Sequence, residues 1–285
     1  MLLIVGTVPD ENIPLVYDNI KVERSSLVIG DFSLDIDRGT CALAAAACLT
    51  CQSLSSNTPK GLFISDKGDG SGSRKIYAWL INNLGKIDAD VITFHYIQPE
   101  LNLHNKAISA LKQNKKRPII IADAGFMYVA KMSGRASEYN LFTPDIGEMA
   151  FLADETAPHP FYTRGFLLHD DLDIESMVER AYKHGNASQT MIVKGKTDFI
   201  ASNGKIIDTI NEPIVANLEP IGGTGDTLTG IVSALIYAGH DMINASIKAC
   251  SMNRLAGELS APTPATKVKE IISKIPEVIS SGNLI

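Results

Sequence analysis

The chain has few of the features that mark a membrane protein or a nucleic-acid-binding protein. No apolar run in its 285 residues approaches the roughly 20 residues that a membrane-spanning helix needs. Lys and Arg number 26 against 32 Asp and Glu, which gives a formal net charge of −6. An acidic surface repels a phosphate backbone. We therefore expect neither a nucleic-acid partner nor a membrane partner.

Cysteine is also scarce. The chain has four, and Cys48 and Cys51 form a lone CxxC with no second CxxC and no histidine pair at ligand spacing. Zinc is therefore not expected, and the favoured interpretation is two small buried residues on an alanine-rich helix. Few cysteines fit a reduced compartment. The start "MLLIVG" lacks a basic lead, so it predicts a first strand rather than a signal peptide. We therefore expect a cytoplasmic protein.

Nothing in the sequence marks a boundary between domains. There is no internal repeat and no low-complexity linker, and 45% of the residues are hydrophobic, so we expect one domain over residues 1–285. Short β-branched runs such as "GLFIS" and "RPIIIADAG" alternate with longer helix-like stretches. This alternation predicts an α/β fold with a central, mostly parallel sheet and helices on both faces.

Two regions interrupt the alternation. Residues 14–37 are extended in character and mixed in polarity. They fit either a few antiparallel strands that project from the sheet or a long irregular connection. Asn203-Gly204 lies between two strand-like runs, which predicts a hairpin. Because a projecting strand has exposed edges that can pair with another chain, a homo-oligomer is a further hypothesis.

The stretch "EPIGGTGDTLTG" places three glycines and an aspartate just ahead of a helical pattern. Five apolar residues that follow have the spacing of one helical face: they are Leu228, Ile231, Val232, Leu235 and Ile236. The pattern predicts a helix that begins near Gly225 or Asp226. It also predicts a left-handed C-terminal cap at Gly239.

A helix start presents unpaired amides and the positive end of the helix dipole, and glycines let a bulky anion approach them. We therefore interpret Gly223, Thr224 and Gly225 as an anion hole for phosphate. As a simple helix-start carboxylate, Asp226 would contribute roughly 0.3–1 kcal/mol, but that role does not need the glycines beside it. We interpret Asp226 as the base for a hydroxyl that attacks a phosphoryl group.

Three other features are given no catalytic role. "VKGKTD" ends like a P-loop, but Thr190 stands where that motif needs glycine. "GDGSGS" fits neither the P-loop nor GxGxxG, and a flexible strand-to-helix turn explains it at least as well as a ligand loop. His95 and His104 flank "YIQPELNL" and are candidates for contact with a ligand, but ordinary polar loop residues are the favoured interpretation.

The segment "GGTGDTLTGIVSALIYAG" resembles the signature of the ribokinase-like superfamily. In that superfamily a G-[AT]-G-D motif opens a helix, forms the anion hole and supplies the catalytic aspartate. "TPDIGE" resembles the TPxxxE segment that helps to organise Mg²⁺ and phosphates. That likeness implies a metal-organising role for Glu148 and for Asp145. The resemblance thus implies a ribokinase-like, three-layer fold and phosphoryl transfer with ATP or ADP and Mg²⁺.

Two strand ends fit the same resemblance. "VKG" resembles the strand end beside the nucleotide, which implies nucleotide contacts for Lys194 and Gly195. "IADAG" resembles the strand that ends in an acidic residue near the phosphates, which implies a similar place for Asp123. Open α/β sheets bind ligands at the carboxyl ends of their strands.

Within the superfamily, the C-terminal half looks most like ADP/ATP-dependent NAD(P)H-hydrate dehydratase. The double glycine, "VKGKTDFIA" and "RLAGELSA" carry this likeness. In that family a nucleotide phosphorylates the hydroxyl of hydrated NADH or NADPH, and the ring nitrogen then expels phosphate. Two departures are visible: "FHYIQPELN" stands where the family has "GPGLG", and Asp145 replaces a histidine of "TPHPGE".

The N-terminal half is instead similar to the sugar kinases of the ribokinase family. That likeness implies that Asp10, Gly39 and Thr40 face the substrate and that residues 14–37 form a small β-lid. A kinase for a sugar or a vitamin alcohol is therefore the alternative to a dehydratase. A non-catalytic nucleotide-binding protein on the same scaffold is a third hypothesis, against which the presence of both Asp226 and Glu148 argues.

Overall fold

The computed structural model describes residues 1–10, 12–155 and 173–282. In these ranges eleven strands form one sheet. The strands are β1 (Leu2–Val8), β2 (Val16–Glu23), β3 (Ser26–Ile29), β4 (Phe32–Asp35), β5 (Lys60–Ser65), β6 (Val91–His95), β7 (Ile119–Ala122), β8 (Leu141–Phe142), β9 (Thr190–Val193), β10 (Asp198–Ser202) and β11 (Lys205–Ile210). Their order is β11-β10-β9-β8-β7-β6-β1-β5-β2-β3-β4.

The helices connect these strands. They are α1 (Thr40–Ser53), α2 (Ser71–Asn83), α3 (Leu101–Ala110), α4 (Gly125–Met132), α5 (Ile146–Ala153), α6 (Ile174–Lys183), α7 (Thr224–Tyr237), α8 (Met242–Leu259), α9 (Val268–Ile272) and α10 (Ile275–Ser280). None of the helices among the described residues combines the length and the apolar character that a membrane crossing requires.

The sheet is buried on both faces at its centre. In β1, Leu2 and Ile4 join one apolar core with residues of α1 and α7, whereas Leu3 and Val5 join a second core with residues of α2 and α4. Strands β5, β1, β6, β7, β8 and β9 are parallel. The predicted parallel centre with a helical layer on each face is therefore confirmed, and antiparallel strands flank it on both sides.

Residues 14–37 contain the antiparallel strands β2, β3 and β4, as in the first of the two alternatives, but these strands extend the sheet rather than project from it. The first half of β2 pairs with β5, which makes this segment a continuation of the main sheet. Ile20 and Leu27 are fully buried in the core that contains α1. The apolar side of the segment thus supports α1, and its role as a lid stays a prediction.

Two turns follow their predicted chemistry. Ser202 pairs with Lys205 across Asn203 and Gly204, which have φ values of +52° and +77°. Two consecutive left-handed residues make a type I′ turn, so the predicted hairpin is confirmed. Gly239 follows the last turn of α7 and its C-cap Ala238, has a φ of +100° and donates its amide to the Ile236 carbonyl. This left-handed cap is also confirmed.

The cysteines are interior residues. Cys48 and Cys51 are buried in α1, as expected for small residues on an alanine-rich helix. Cys41 and Cys250 are free and buried as well. Burial raises the pKa of the Cys41 thiol to about 12 and that of the Cys51 thiol to about 12. These thiols are therefore protonated and enclosed at neutral pH.

Candidate active site

The polar residues at the ends of three central strands meet at one edge of the sheet. His95 ends β6, Asp123 follows β7 and Lys194 follows β9. Helix α7 begins at the same edge and brings Asp226 to it. One side-chain nitrogen or oxygen atom from each of His95, Asp123 and Asp226 lies within 4.8 Å of the others. The cluster thus occupies the place where open α/β sheets bind their ligands.

The start of α7 is a helix start preceded by a left-handed glycine, and its role as an anion hole stays a prediction. The helix begins at Thr224, one residue before the predicted start, and Gly223 precedes it with a φ of +99°. A side chain is disfavoured there by the backbone, and a Cβ would also lie 3.1 Å from the Cα of Arg38. The amide of Thr227 donates to the Gly223 carbonyl. The amides of residues 224–226 precede this bond and lack an intrahelical acceptor.

Asp226 is held from two sides. Its Oδ1 lies 3.0 Å from Nε2 of His95, and its Oδ2 accepts the amide of Gly39 at 2.6 Å. Burial alone would raise the pKa of Asp226. The hydrogen bond and charge of His95, the charge of Lys194 and the Gly39 amide outweigh burial and lower this pKa to about 2. The side chain is 14% exposed, so an ionised carboxylate remains accessible from solvent.

Lys194 and Asp123 form a buried ion pair beside the start of α7. The Lys194 Nζ lies 2.9 Å and 3.1 Å from the two carboxylate oxygens of Asp123, and Thr229 donates to Asp123 Oδ2 at 2.6 Å. Burial by itself would lower the pKa of Lys194, but Asp123 and Glu148 raise it above its ordinary value. A Cβ on Gly225 would lie 3.5 Å from the Lys194 Nζ. A fixed cation and the positive end of α7 are thus adjacent.

Glu148 and Asp145 form the first turn of α5. Asp145 is the N-cap: its Oδ1 accepts the Glu148 amide at 2.7 Å, and Glu148 Oε2 accepts the Asp145 amide at 2.9 Å. This capping box gives Asp145 a structural role that needs no metal. Burial raises the pKa of Glu148, and the carboxylates of Asp123 and Asp145 add to that rise against the charge of Lys194.

The other site residues predicted from sequence differ in their surroundings. The Gly39 backbone lies at the site through its bond to Asp226. The Thr40 hydroxyl contacts the Thr7 carbonyl at 2.7 Å and His95 Nδ1 at 3.0 Å. Asp10 is exposed, and its Oδ1 accepts the amide of Asn12. A contact of Gly39, Thr40 or Asp10 with substrate stays a prediction.

Gly195 lies directly beyond Lys194 in the turn that leads to β10. Its amide donates to Asp198 Oδ1 at 3.1 Å, and its carbonyl accepts Arg254 Nη2 at 3.1 Å. Arg254 also forms an ion pair with Asp198 at 2.9 Å. These bonds fix the turn after β9, and direct contact of Gly195 with a nucleotide stays a prediction.

The interpretation of the two histidines as polar loop residues is wrong. His95 is fully buried at the end of β6, and His104 is fully buried within α3, where Nε2 lies 2.7 Å from the Tyr139 hydroxyl. The signal for His95 was its position after "DVITF", because a polar residue that directly ends an apolar strand lies at the ligand edge. Asp123 occupies the corresponding position directly after β7.

The glycine-rich turn before α2 already contains a carboxylate of the chain itself. Asp66 Oδ1 accepts the amides of Gly68 and Gly70, and Asp66 Oδ2 accepts the amide and the hydroxyl of Ser73. The donors that would bind a phosphate at this helix start are therefore used internally. This favours a structural turn over a ligand loop.

Comparison with known proteins assigns the family. The Carb_kinase family model, described as NAD(P)H-hydrate dehydratase, matches residues 87–277, a span that includes α7 and the ends of β6, β7 and β9. The chain belongs to this family. The family is described as an enzyme, so the prediction that the chain is an enzyme of this kind is confirmed.

Two relatives illustrate the extent of the likeness. An uncharacterized protein of Methanocaldococcus jannaschii is 43% identical over 223 residues, which cover 78% of this chain and 91% of that protein. The ADP-dependent (S)-NAD(P)H-hydrate dehydratase of Cenarchaeum symbiosum is 33% identical over 141 residues, or 49% of this chain. The match spans only 43% of that dehydratase.

Solved structures show the same fold. A ribokinase-like superfamily protein from Enterococcus faecalis superposes with a TM-score of 0.60 at 16% identity, covering 98% of this chain and 86% of that one. The ADP/ATP-dependent NAD(P)H-hydrate dehydratase from Bacillus subtilis, co-crystallized with ATP/Mg²⁺, gives 0.55 at 15% identity, with coverage of 98% and 89%. The predicted ribokinase-like fold is therefore confirmed.

Proposed function

We propose that this family member is an ADP/ATP-dependent NAD(P)H-hydrate dehydratase that phosphorylates the hydroxyl of hydrated NADH or NADPH. The observation that carries the proposal is the ionised Asp226 in the first turn of α7, beside the cation of Lys194. A carboxylate next to an anion hole suits a hydroxyl that attacks a phosphoryl group. Membership of the dehydratase family supports the choice of substrate.

In this proposal the start of α7 and Lys194 hold the terminal phosphate of ATP or ADP. Gly223, Thr224 and Gly225 provide amides, and the dipole of α7 adds positive potential. These donors are fixed before the reaction, so they stabilise the charge that develops on the transferring phosphoryl group. Gly195 and Asp123 would support the nucleotide from the ends of β9 and β7.

Asp226 accepts the proton of the substrate hydroxyl. Both of its oxygens already accept one hydrogen bond, and each keeps a lone pair for another. After phosphorylation, the ring nitrogen of the substrate donates its electron pair, the carbon–oxygen bond to phosphate breaks, and loss of a ring proton restores the reduced nicotinamide. Asp10, Gly39 and Thr40 are the proposed contacts on the substrate side.

The surroundings of Glu148 fit a divalent cation. The side chain is half-buried next to two other carboxylates, and its raised pKa records their repulsion together with its burial. A nearby Mg²⁺ would relieve both effects, and Mg²⁺ is usually held by one or two carboxylates together with water and phosphates. Bound there, Mg²⁺ would neutralise charge on the nucleotide phosphates. Glu148 would hold it, with Asp145 as a second candidate.

The test is direct. Purified protein is incubated with hydrated NADH, Mg²⁺ and either ATP or ADP, and the return of the absorbance of reduced nicotinamide is followed. The Asp226→Asn variant, prepared in the same way, is the matched control. Recovery of NADH by wild type but not by the control supports the dehydratase. No recovery with either nucleotide contradicts it.

A small-molecule kinase is the second candidate. It is favoured by the antiparallel strands β2, β3 and β4, which occupy the segment where sugar kinases of this superfamily have their lid. Nucleotide consumption with a panel of sugars and vitamin alcohols would identify such an activity. Tight ATP binding without turnover on any hydroxyl compound would instead support the non-catalytic alternative.

A further inference from the structure

His95 is a buried histidine whose two ring nitrogens both have partners at the candidate site. Nε2 lies 3.0 Å from Asp226 Oδ1, and Nδ1 lies 3.0 Å from the Thr40 hydroxyl oxygen. The side chain has no exposure to solvent. The role proposed for Asp226 does not by itself explain why a buried imidazole contacts its carboxylate.

The hydrogen bonds around the ring indicate where its protons lie. The Thr40 hydroxyl has one proton, and the Thr7 carbonyl, 2.7 Å away, can only accept. With that proton directed at Thr7, the Thr40 oxygen is an acceptor and Nδ1 must donate to it. Nε2 must also donate, because its partner is a carboxylate. The arrangement is therefore satisfied by an imidazolium with a proton on each nitrogen.

His95 belongs to a short chain of hydrogen-bonded groups that links four elements of the fold. It runs from the Thr7 carbonyl in β1 through Thr40 in α1 and His95 in β6 to Asp226 in α7. Each of these elements is anchored in the core. The chain therefore restrains the Asp226 carboxylate in one orientation as well as providing a positive charge.

Other charged or titratable groups around the pair come from the neighbouring elements. They are Arg38 before α1, Tyr96 after β6, Asp123 after β7, Glu148 in α5 and Lys194 after β9. Lys194 is bonded to Asp123 and also lowers the pKa of Asp226 from a distance. The ring of His95, in contrast, contacts Asp226 directly through Nε2.

We infer that His95 is a positioning residue for the proposed reaction: it donates to Asp226 as an imidazolium, holds this carboxylate ionised and aims its free lone pair at the substrate hydroxyl. The inference rests on the proposed function for the identity of the reaction. The existence of the His95–Asp226 ion pair is independent of that identity and can be tested without any activity.

The first experiment measures the protonation of His95 by long-range ¹H–¹⁵N correlation NMR of the six histidines at neutral pH. The His95→Gln variant assigns the His95 signals. We expect both ring nitrogens of His95 to be protonated in wild type and one of them to lose its proton in Asp226→Asn. A neutral His95 ring in wild type would overturn the inference, whatever the protein catalyses.

The second experiment is the pH profile of kcat and KM in the dehydratase assay. His95→Phe keeps a ring but removes both donors, so the pKa of Asp226 should rise and a new acidic limb should appear in kcat/KM. We expect kcat at neutral pH to fall by roughly 10-fold to 100-fold, with KM for nucleotide little changed. His95→Gln keeps a neutral donor and should show a smaller loss and a smaller shift.

His104→Gln is the matched control, because His104 is also fully buried but lies in α3, bonded to Tyr139. It tests whether the loss of a buried histidine alone produces the acidic limb. If His95→Phe shows no new acidic limb, or if His104→Gln shows the same limb, the positioning role is wrong. If wild type is inactive in the dehydratase assay, the proposed function is contradicted. The NMR experiment then still tests the His95–Asp226 ion pair on its own.

Discussion

Replacement of Gly230 by alanine should separate two helices that carry the candidate site. Gly230 lies in α7 against α1, and a Cβ at this position would lie 2.1 Å from the Leu43 carbonyl oxygen. That oxygen belongs to the backbone of a buried helix and cannot rotate away. The added methyl group can therefore be accommodated only if α1 and α7 move apart.

The size of the movement follows from the contact. Ordinary van der Waals contact begins near 3.4 Å, so α1 and α7 must move apart by about 1.3 Å along the line from the added Cβ to the Leu43 carbonyl oxygen. Overpacking of a close-packed core costs roughly 1–3 kcal/mol, and contact with backbone argues for the upper half of that range. At 2–3 kcal/mol the melting temperature should fall by roughly 4–12 °C.

The same movement should reach the proposed chemistry. The Gly39 amide at the start of α1 donates to Asp226 at the start of α7 over 2.6 Å, and a hydrogen bond of this kind weakens quickly as it lengthens. We expect Gly230→Ala to lower turnover in the dehydratase assay at least threefold, measured well below its melting temperature. Differential scanning calorimetry supplies the stability change on the same sample.

Gly239→Ala is the matched control for this experiment. It adds a methyl group at the end of the same helix, where no atom lies within 4 Å but the φ of +100° disfavours alanine. It should lose about 1 kcal/mol and keep normal turnover. If Gly230→Ala has the melting temperature and the turnover rate of wild type, the close contact between α1 and α7 does not exist and the reasoning fails.

Three further predictions concern the charged groups of the site. Asp226→Asn should lower turnover by at least roughly 10²-fold while calorimetry shows nucleotide binding retained, and normal turnover would exclude Asp226 as the base. Lys194→Met should lower the free energy of unfolding by about 3–5 kcal/mol because it leaves Asp123 buried without its cation. The double variant Lys194→Met/Asp123→Asn should recover much of the lost free energy of unfolding, as measured in denaturant melts. If the effects of the two substitutions on that free energy are purely additive, the ion pair is contradicted. Folding raises the pKa of Glu148 from 4.5 to about 8, so its contribution to stability falls as the pH rises through this range. Glu148→Gln should flatten that fall and abolish the stabilisation by Mg²⁺ expected for wild type, and thermal melts against pH with and without Mg²⁺ measure both effects.

The parts of the fold that depend on local chemistry could be predicted from the sequence. The apolar spacing after Asp226 predicted the start of α7 to within a residue, and Gly239 predicted where the helix stops. Asn203-Gly204 predicted a hairpin. These signals act over a few residues. Residues 14–37 left two alternatives open because a strand segment with one face in the core and many exposed positions has no uninterrupted apolar run.

The parts that depend on distant residues could be predicted only in outline. Lys194 and Asp123 are 71 positions apart, and they meet because parallel strands β7 and β9 flank β8. The sequence indicated that each lies at a strand end but not that they form a pair. For the same reason the sequence did not indicate that His95 pairs with Asp226, which is 131 positions away.

The burial of all four cysteines provides a built-in reporter of unfolding. A thiol reagent needs an accessible thiolate, and in the folded chain each sulfur is enclosed and its pKa is raised. Short pulses of a maleimide should therefore modify only molecules that have opened. Because three of the four lie in α1 and one in α8, mass spectrometry of the labelled peptides would tell opening of one helix from opening of the other.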